Sequence, residues 1–311
     1  MLRNEPLAGH TSFHIGGPAD FYIKPPCDVF IEEAAEILKK NRTEKTALFI
    51  LGLGSNILVS DQGFRGTILD VSEWKGCVIK AKPDDAGKEN GKDGQFGAQS
   101  GALYEICCRS GTKSDEAARF ALEHSLCGLE FLAGLPGTIG GAVWMNARCY
   151  EKSLSDILSS VEILDESGNK VIVPYRNEDY DYKKSPFQNR DILILSASFR
   201  VKKGNAYEIS QQMETYRKDR ESKGHFSYPS AGSVFKNNRT FGKPTGKIIE
   251  ELGLRGTQIG GARLADWHGN FIINTGGASA HDVLSLITLI KDRVRLNLGI
   301  ELEPEILFVG F

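Results

Sequence analysis

The sequence predicts an α+β protein of more than one domain, and three observations carry that reading. The chain has 311 residues, more than a single hydrophobic core usually organises, so two or three domains are expected. Short apolar runs of strand length alternate irregularly with a few amphipathic stretches of helical length. Glycine-rich segments at residues 51–66 and 128–146 interrupt both patterns, too apolar for linkers and too flexible for regular elements.

The elements follow in order. Strands are expected at residues 21–24, 47–51, 57–59 and 67–71, with an amphipathic helix over 29–40 between the first two. Residues 82–97 (KPDDAGKENGKDGQFG) are polar and rich in glycine and charge, as an exposed loop or hairpin tip would be. Strand-like sequence resumes beyond them. Residues 112–126 read as a helix with Ala117, Ala118, Phe120, Ala121 and Leu122 inward and Ser114 as its N-cap. Strands at 160–165 and 170–174 flank the hairpin turn Glu166-Ser167-Gly168-Asn169, and another strand covers 192–200. Lys202-Lys203-Gly204-Asn205 breaks the pattern before a charged helix over 207–223, and the main domain boundary is placed there. The last third has a helix at 244–252, a strand at 271–274 and a helix at 280–298 that Ser279 and Asp282 would cap. A strand over 302–309 follows.

Composition narrows the function classes. An apolar content of 41% and a charged content of 25% are those of an ordinary soluble globular protein. A net charge of −2, with lysines and arginines scattered, gives no basis for a nucleic-acid or membrane-surface partner. There is no signal-peptide pattern and no apolar run near the ~18 residues of a membrane span. The cysteines (Cys27, Cys77, Cys107, Cys108, Cys127, Cys149) make no C-x-x-C pair and read as reduced thiols of a cytoplasmic protein. The histidines have no ligand spacing, so no metal site is expected.

Residues 128–146 (GLEFLAGLPGTIGGAVWMN) are the most informative stretch. Each glycine inside a helix or strand costs about 0.5–1 kcal/mol relative to alanine, so the segment reads as a poor helix or strand. Glycines at this density let backbone approach a flat or anionic ligand with N–H groups free to donate, although a buried turn would look the same. In residues 51–66 (LGLGSNILVSDQGFRG), Gly52 and Gly54 permit positive φ, so that successive amides can form a concave anion nest. Ser55 and Asn56 add side-chain donors. The pattern is not a dinucleotide fingerprint, because Ile57 stands where the third glycine should be and a strand follows; no G-x-x-x-x-G-K-[ST] loop occurs either. A third Gly-Gly turn lies in residues 11–20 (TSFHIGGPAD).

In this order TSFHIGGPAD, GLGSNILVSDQGFRG, GLEFLAGLPGTIGGAVWMNA, DYKKSPF (181–187), RESK (220–223), PSAGSVFKN (229–237) and LEPEI (302–306) span the chain. Together they resemble the UDP-N-acetylenolpyruvoylglucosamine reductase family of flavoproteins. The resemblance implies a PCMH-type FAD-binding fold of two α+β lobes (1–72 and 73–203) followed by an α+β substrate-binding domain (204–311). It implies non-covalent FAD, NADPH as hydride donor and a nucleotide-sugar substrate. The enolpyruvyl ether of UDP-N-acetylglucosamine would be reduced to UDP-N-acetylmuramate for peptidoglycan synthesis. Neither a nucleic-acid, a membrane nor an obligate protein partner is implied.

Residue by residue, the resemblance places cofactor contacts at Gly52, Leu53, Gly54, Ser55, Asn56, Gly134, Pro136, Gly137, Gly140, Gly141, Asn146 and Arg220. Substrate contacts fall on Tyr182, Lys223, Asn237 and His268. Ser233 falls on the family's proton donor; without the resemblance it would pass for a turn serine. Glu305 falls on the catalytic glutamate, although alternation would put Glu303 on the same face. Lys183 occupies the position of an arginine that stabilises the intermediate, and there the chain departs from the family: lysine keeps the charge and loses the bidentate fork. Arg148 is a second departure, a bulky cation where relatives have a small residue. Two rival readings stay open, another PCMH-type oxidase and a cofactor-binding paralogue without turnover.

Overall fold

Residues 1–81 and 103–311 are described in the computed structural model, and the polar loop expected at 82–97 lies outside them. The α-helices are α1 (Phe30–Glu44), α2 (Ser114–Glu123), α3 (Ile139–Trp144), α4 (Ala206–Ser222), α5 (Thr245–Glu251) and α6 (Ala280–Leu298). The backbone groups into two units, each discontinuous in sequence: residues 1–24, 44–70 and 218–311 form one, and 25–43 with 71–217 form the other. The passage between them falls inside α4, at Arg217–Lys218. No composition shift marks that point, because a continuous helix carries the chain through it.

The unit of residues 25–43 and 71–217 is built on a mixed-length antiparallel sheet. Its strands run in the order Lys170–Pro174, Leu158–Leu164, Leu193–Lys203, Leu103–Arg109 and Cys77–Ala81, with Leu126–Cys127 also on the third. Leu193–Lys203 is central and buried along most of its length, so it shows a continuous apolar run instead of alternation. It continues through Lys202 and Lys203, which looked like a break, because both pair with Leu126–Cys127 and Lys203 Nζ reaches the His124 carbonyl at 3.0 Å. At the hairpin, Asp165 accepts from the N–H groups of Ser167 and Asn169, both at 2.8 Å, while Gly168 takes φ +75°. The core gathers Ile106, Phe131, Phe187 and Phe199 with the inner face of α2. Ser114 is not the N-cap of α2 but its first residue; the N-cap is Lys113, whose N–H donates to Glu116 Oε2, three residues on, at 3.4 Å.

The other unit carries two four-stranded sheets. In the first, Pro18–Ile23 pairs antiparallel with Leu2–Pro6 and parallel with Phe64–Asp70, whose far side takes Leu48–Leu51, also parallel. In the second, Ser230–Ser233, Phe271–Asn274, Ala262–Leu264 and Gln258–Ile259 run antiparallel in that order. Helix α6 buries Ala280, Val283, Leu286, Ile287, Ile290 and Val294, the spacing of one helical stripe, each side chain of Leu, Ile or Val size contributing about 1.5–3 kcal/mol. Ser279 and Asp282 form the expected capping box, and Gly299 ends the helix at φ +66°. Asp61 adds a cap the sequence did not advertise, accepting from the Ala280 and His281 N–H groups at 2.8 and 3.0 Å. The last strand is shorter than expected, Leu307–Val309, parallel to Ile57–Val59. Residues 302–306 leave strand geometry because Pro304 has no N–H to donate and the chain there bridges to Phe235 instead.

Candidate active site

Two glycine turns carry most of the candidate cofactor residues. In residues 52–56, Gly54 takes φ +57°, and a Cβ there would sit 2.5 Å from the His10 carbonyl oxygen. Only glycine lets this loop lie so close to residues 10–11. The N–H groups of Leu53, Gly54 and Ser55 have no acceptor among the described residues, which is the property an anion nest needs. Ser12 pins the loop from below, its N–H donating to the Gly54 carbonyl at 3.2 Å. Asn56 is partly committed elsewhere: its Nδ2 donates to the Glu305 carbonyl at 3.2 Å.

The second turn contains a correction. The glycine-rich segment does form a helix, though only the six residues of α3, and Gly140 and Gly141 are in it. Gly140 is required by packing, since a Cβ there would meet the Ser110 Cβ at 2.7 Å. Its N–H donates to the Ser110 carbonyl at 2.8 Å, and the Thr138 hydroxyl caps Gly141 at 3.4 Å. Gly134 (φ +68°) donates to Asp115 at 2.8 Å, whereas the Gly137 N–H (φ +114°) has no acceptor among the described residues. Pro136 and Gly141 are exposed. Beneath the turn lie two fully buried hydroxyls, Ser110 Oγ and Ser114 Oγ, without a partner among the described residues. Unsatisfied donors beside an open glycine backbone fit a polyphosphate-bearing ligand such as FAD. The sequence singled out Ser114 only as a helix cap and Ser110 not at all, because what marks them is their nearness in space to Gly137 and Gly140.

Asn146 follows the end of α3. It is buried at φ +43°, its Nδ2 donates to the Asp181 carbonyl at 2.9 Å, and its Oδ1 accepts from the Ser155 N–H at 3.1 Å. With Ser185 and Gln188, which donate to the Trp144 carbonyl at 2.7 and 3.0 Å, it fastens the turn that carries Tyr182 and Lys183 to the end of α3. Lys183 itself stands at φ +58°, its carbonyl held by Gln188 at 3.0 Å and its ammonium 6.0 Å from the Tyr182 ring centre. Arg148 sits half-buried in a two-residue strand paired with Ser153.

In the other unit, Ser233 ends the strand Ser230–Ser233 opposite Phe271, after an irregularity at Gly232 (φ +74°). The Ser233 hydroxyl has no hydrogen bond among the described residues and the side chain is half-buried. The next residue accepts the Glu305 N–H on its carbonyl: Glu305 N to Val234 O is 2.7 Å. The serine and the glutamate therefore lie on adjoining backbone. Glu303 is distinguished from Glu305 here by exposure: Glu303 is exposed, where Lys236 pairs with it, and Glu305 is half-buried. Asn270, missed by the sequence reading, is the clamp. Its Oδ1 accepts from the Phe235 N–H at 2.9 Å, its Nδ2 donates to the Phe235 carbonyl at 2.8 Å, and its own carbonyl accepts from Val234 at 2.9 Å. Ser12 also ties this strand to the Gly54 loop, its hydroxyl donating to the Ser230 carbonyl at 2.7 Å.

The remaining polar candidates cluster less tightly. Arg220 is buried in the last turn of α4, and Lys223 pairs with Asp219 at 2.8 Å. His268 and His225 flank the Phe271 ring, their centres 4.7 and 4.8 Å from it. Burial pushes both imidazoles below their ordinary range; for His225, to about 4, with the Arg220 charge adding to the effect. Asn237 is exposed and caps the start of α5 through Thr245, at 2.9 Å.

Known proteins place this architecture. A family model for the C-terminal domain of UDP-N-acetylenolpyruvoylglucosamine reductase matches residues 224–309, and one for an FAD-binding domain matches 30–173. The reductase of that name from Treponema denticola is 42% identical, covering 98% of this chain and 92% of its own. The one from Borreliella burgdorferi is 41% identical, covering 98% and 93%. The crystal structure of the Thermus caldophilus enzyme superposes with a TM-score of 0.74 at 28% identity, covering 98% of this chain and 97% of that one. The chain belongs to the UDP-N-acetylenolpyruvoylglucosamine reductase family, oxidoreductases built on a PCMH-type FAD-binding fold.

Proposed function

We propose that the chain reduces the enolpyruvyl ether of UDP-N-acetylglucosamine to UDP-N-acetylmuramate, using NADPH, in the cytoplasm and without an obligate protein partner. Family membership supports the reaction. One observation carries the assignment of its residues, the 2.7 Å hydrogen bond from the Glu305 N–H to the carbonyl of Val234, which sets the glutamate beside the residue after Ser233. Residues 1–72 and 73–203 would serve the cofactor and 204–311 the substrate.

When bound, FAD would supply the hydride chemistry, with NADPH as donor and the vinyl carbon distant from the carboxylate as acceptor. The N–H groups of Leu53, Gly54 and Ser55 would contact its anionic portion, and the resemblance assigns cofactor contacts to Pro136, Gly137 and Gly141 as well. As hydride arrives, the carbon next to the carboxylate gains enolate character and becomes a strong base. Ser233 delivers its hydroxyl proton there; serine is a poor acid in water and acts only against such a base. By the resemblance, Lys183 would supply positive charge to the developing anion and Glu305 would orient the enolpyruvyl group. Tyr182, Lys223, Asn237 and His268 would hold the nucleotide sugar, Asn237 from the start of α5 that it caps.

Ser233→Ala tests the assignment. Reduction of the flavin by NADPH should persist, while reoxidation by the enolpyruvyl sugar should fall about 10²–10⁴-fold, or ~3–5 kcal/mol of barrier. Stopped-flow absorbance separates the two steps, and equal slowing of both would assign Ser233 to the cofactor site.

A further inference from the structure

The mechanism leaves a pair of thiols unused. The strand Cys77–Ala81, at the edge of its sheet among the described residues, pairs with Leu103–Arg109 so that Cys77 stands directly opposite Cys108. Their sulfurs are 3.1 Å apart and share a hydrogen bond. Opposed residues of an antiparallel pair have Cα atoms about 4.5–5.5 Å apart, inside the ~4.4–6.8 Å that a disulfide spans. Bond formation at ~2.05 Å therefore needs about 1 Å of sulfur movement and no change of register.

The two thiols are unequal. Cys108 is fully buried, whereas Cys77 is half-buried between the exposed Gly76 and Val78, so a small oxidant meets Cys77 first. The hydrogen bond with Cys108 holds the Cys77 thiol below its ordinary range, with the Thr112 hydroxyl contributing, and the same bond and burial push Cys108 up. One group is thus set to be oxidised and the other to resolve it.

The pair also lies two residues from the glycine-rich cradle. The Ser110 carbonyl accepts from Gly140 and the Thr112 carbonyl from Ile139, each at 2.8 Å, so the strand end after Cys108 seats the start of α3. On the other side, the Thr112 hydroxyl accepts from the Gly76 N–H at 2.9 Å and donates to its carbonyl at 3.1 Å. A shift of Cys108 toward Cys77 is carried by these bonds to Gly140.

We propose that Cys77 and Cys108 are a peroxide-sensitive dithiol site that closes reversibly to a disulfide and weakens the hold of the glycine-rich segment on FAD. The Cys77 thiolate attacks hydrogen peroxide; an S–O bond forms, the O–O bond breaks and, with one proton, the departing hydroxide leaves as water. The Cys108 sulfur then attacks that sulfenic acid; the S–S bond forms, the S–O bond breaks and a second water leaves. Two thiols are oxidised to one disulfide and one peroxide is reduced to two waters. The coupling to FAD rests on the cofactor reading above, while the thiol chemistry does not.

The test treats the holoenzyme with hydrogen peroxide, blocks remaining thiols with N-ethylmaleimide and maps the digest by mass spectrometry. The expected result is a Cys77–Cys108 peptide pair lighter by two hydrogens and restored by dithiothreitol, with FAD release accelerated about tenfold, a ~1.4 kcal/mol loss of hold. Cys77→Ser should abolish the link and make FAD release indifferent to peroxide. Cys107, on the same strand with its side chain on the opposite face, and the exposed Cys27 are internal controls. Full alkylation of Cys77 and Cys108 while Cys27 or Cys107 is oxidised would overturn the site. A link that forms with FAD release unchanged would overturn the coupling. Were the protein to take up no FAD, the mass readout would still decide the dithiol.

Discussion

Asn270 is the residue whose removal should reveal how the Ser233 strand is held. The strand turns away from regular pairing after Ser233, and Phe235, 1% exposed, relies on the Asn270 amide for both its N–H and its carbonyl. Asn270→Ala leaves those two backbone groups buried without partners, at about 1–3 kcal/mol each, or ~2–6 kcal/mol in sum. Against a typical stability of about 5–15 kcal/mol this is a large fraction. At roughly 2–4 °C per kcal/mol, a central value of ~4 kcal/mol lowers Tm by about 8–16 °C. Urea titration with circular dichroism measures the loss, and Asn238→Ala is the control. Asn238 also accepts a backbone N–H, at Thr240, but is exposed, so its loss should cost about 1 kcal/mol. If Asn270→Ala fell within 1 kcal/mol of wild type, Phe235 would have other partners and the clamp reasoning would be wrong.

Two further predictions concern charge. Lys183 occupies left-handed backbone at φ +58°, so Lys183→Gly relieves about 1 kcal/mol of strain while removing the ammonium. Tm should hold or rise, yet the substrate half-reaction should drop by ~2.7–4 kcal/mol, with Lys183→Arg active; a Lys183→Gly enzyme at wild-type rate would make this a purely structural turn. His225 and His268 stay neutral in the folded state below the pH at which the unfolded chain protonates them, because burial lowers both. As pH falls from 6.5 toward about 4, the unfolded state takes up protons that the folded His225 refuses, so stability falls with pH in that window. Urea midpoints across it should show the decline, and His225→Gln should flatten it; a wild-type midpoint that rises on acidification would contradict the sign.

Local signals made much of the fold legible. The capping residues Ser279 and Asp282 and the stripe from Ala280 to Val294 placed α6 without error at either end, because cap and periodicity agree there. The hairpin at Asp165–Asn169 was equally plain. What escaped depends on contacts distant in sequence. The first strand, Leu2–Pro6, exists because Pro18–Ile23 offers it a partner, and its own pattern is mostly polar. The passage between units inside α4 left no mark in a continuous helical pattern. At the candidate site, the motifs named the glycine turns by residue type and, only through the family resemblance, Ser233 and Glu305. They did not point to Ser12, Asn270, Ser110 or Ser114, ordinary polar residues that matter through partners tens to hundreds of positions away. Glu303 and Glu305 could not be separated by alternation, since the strand that would alternate does not begin until Leu307.

The most direct measurement follows the flavin of the purified wild-type protein under anaerobic conditions through two additions. NADPH should bleach the oxidised flavin absorbance, and the enolpyruvyl ether of UDP-N-acetylglucosamine should then restore it, with one UDP-N-acetylmuramate formed per flavin. A protein that binds FAD and is bleached by NADPH, yet is not reoxidised by that substrate, would contradict the proposed reaction and leave a flavoprotein of another specificity.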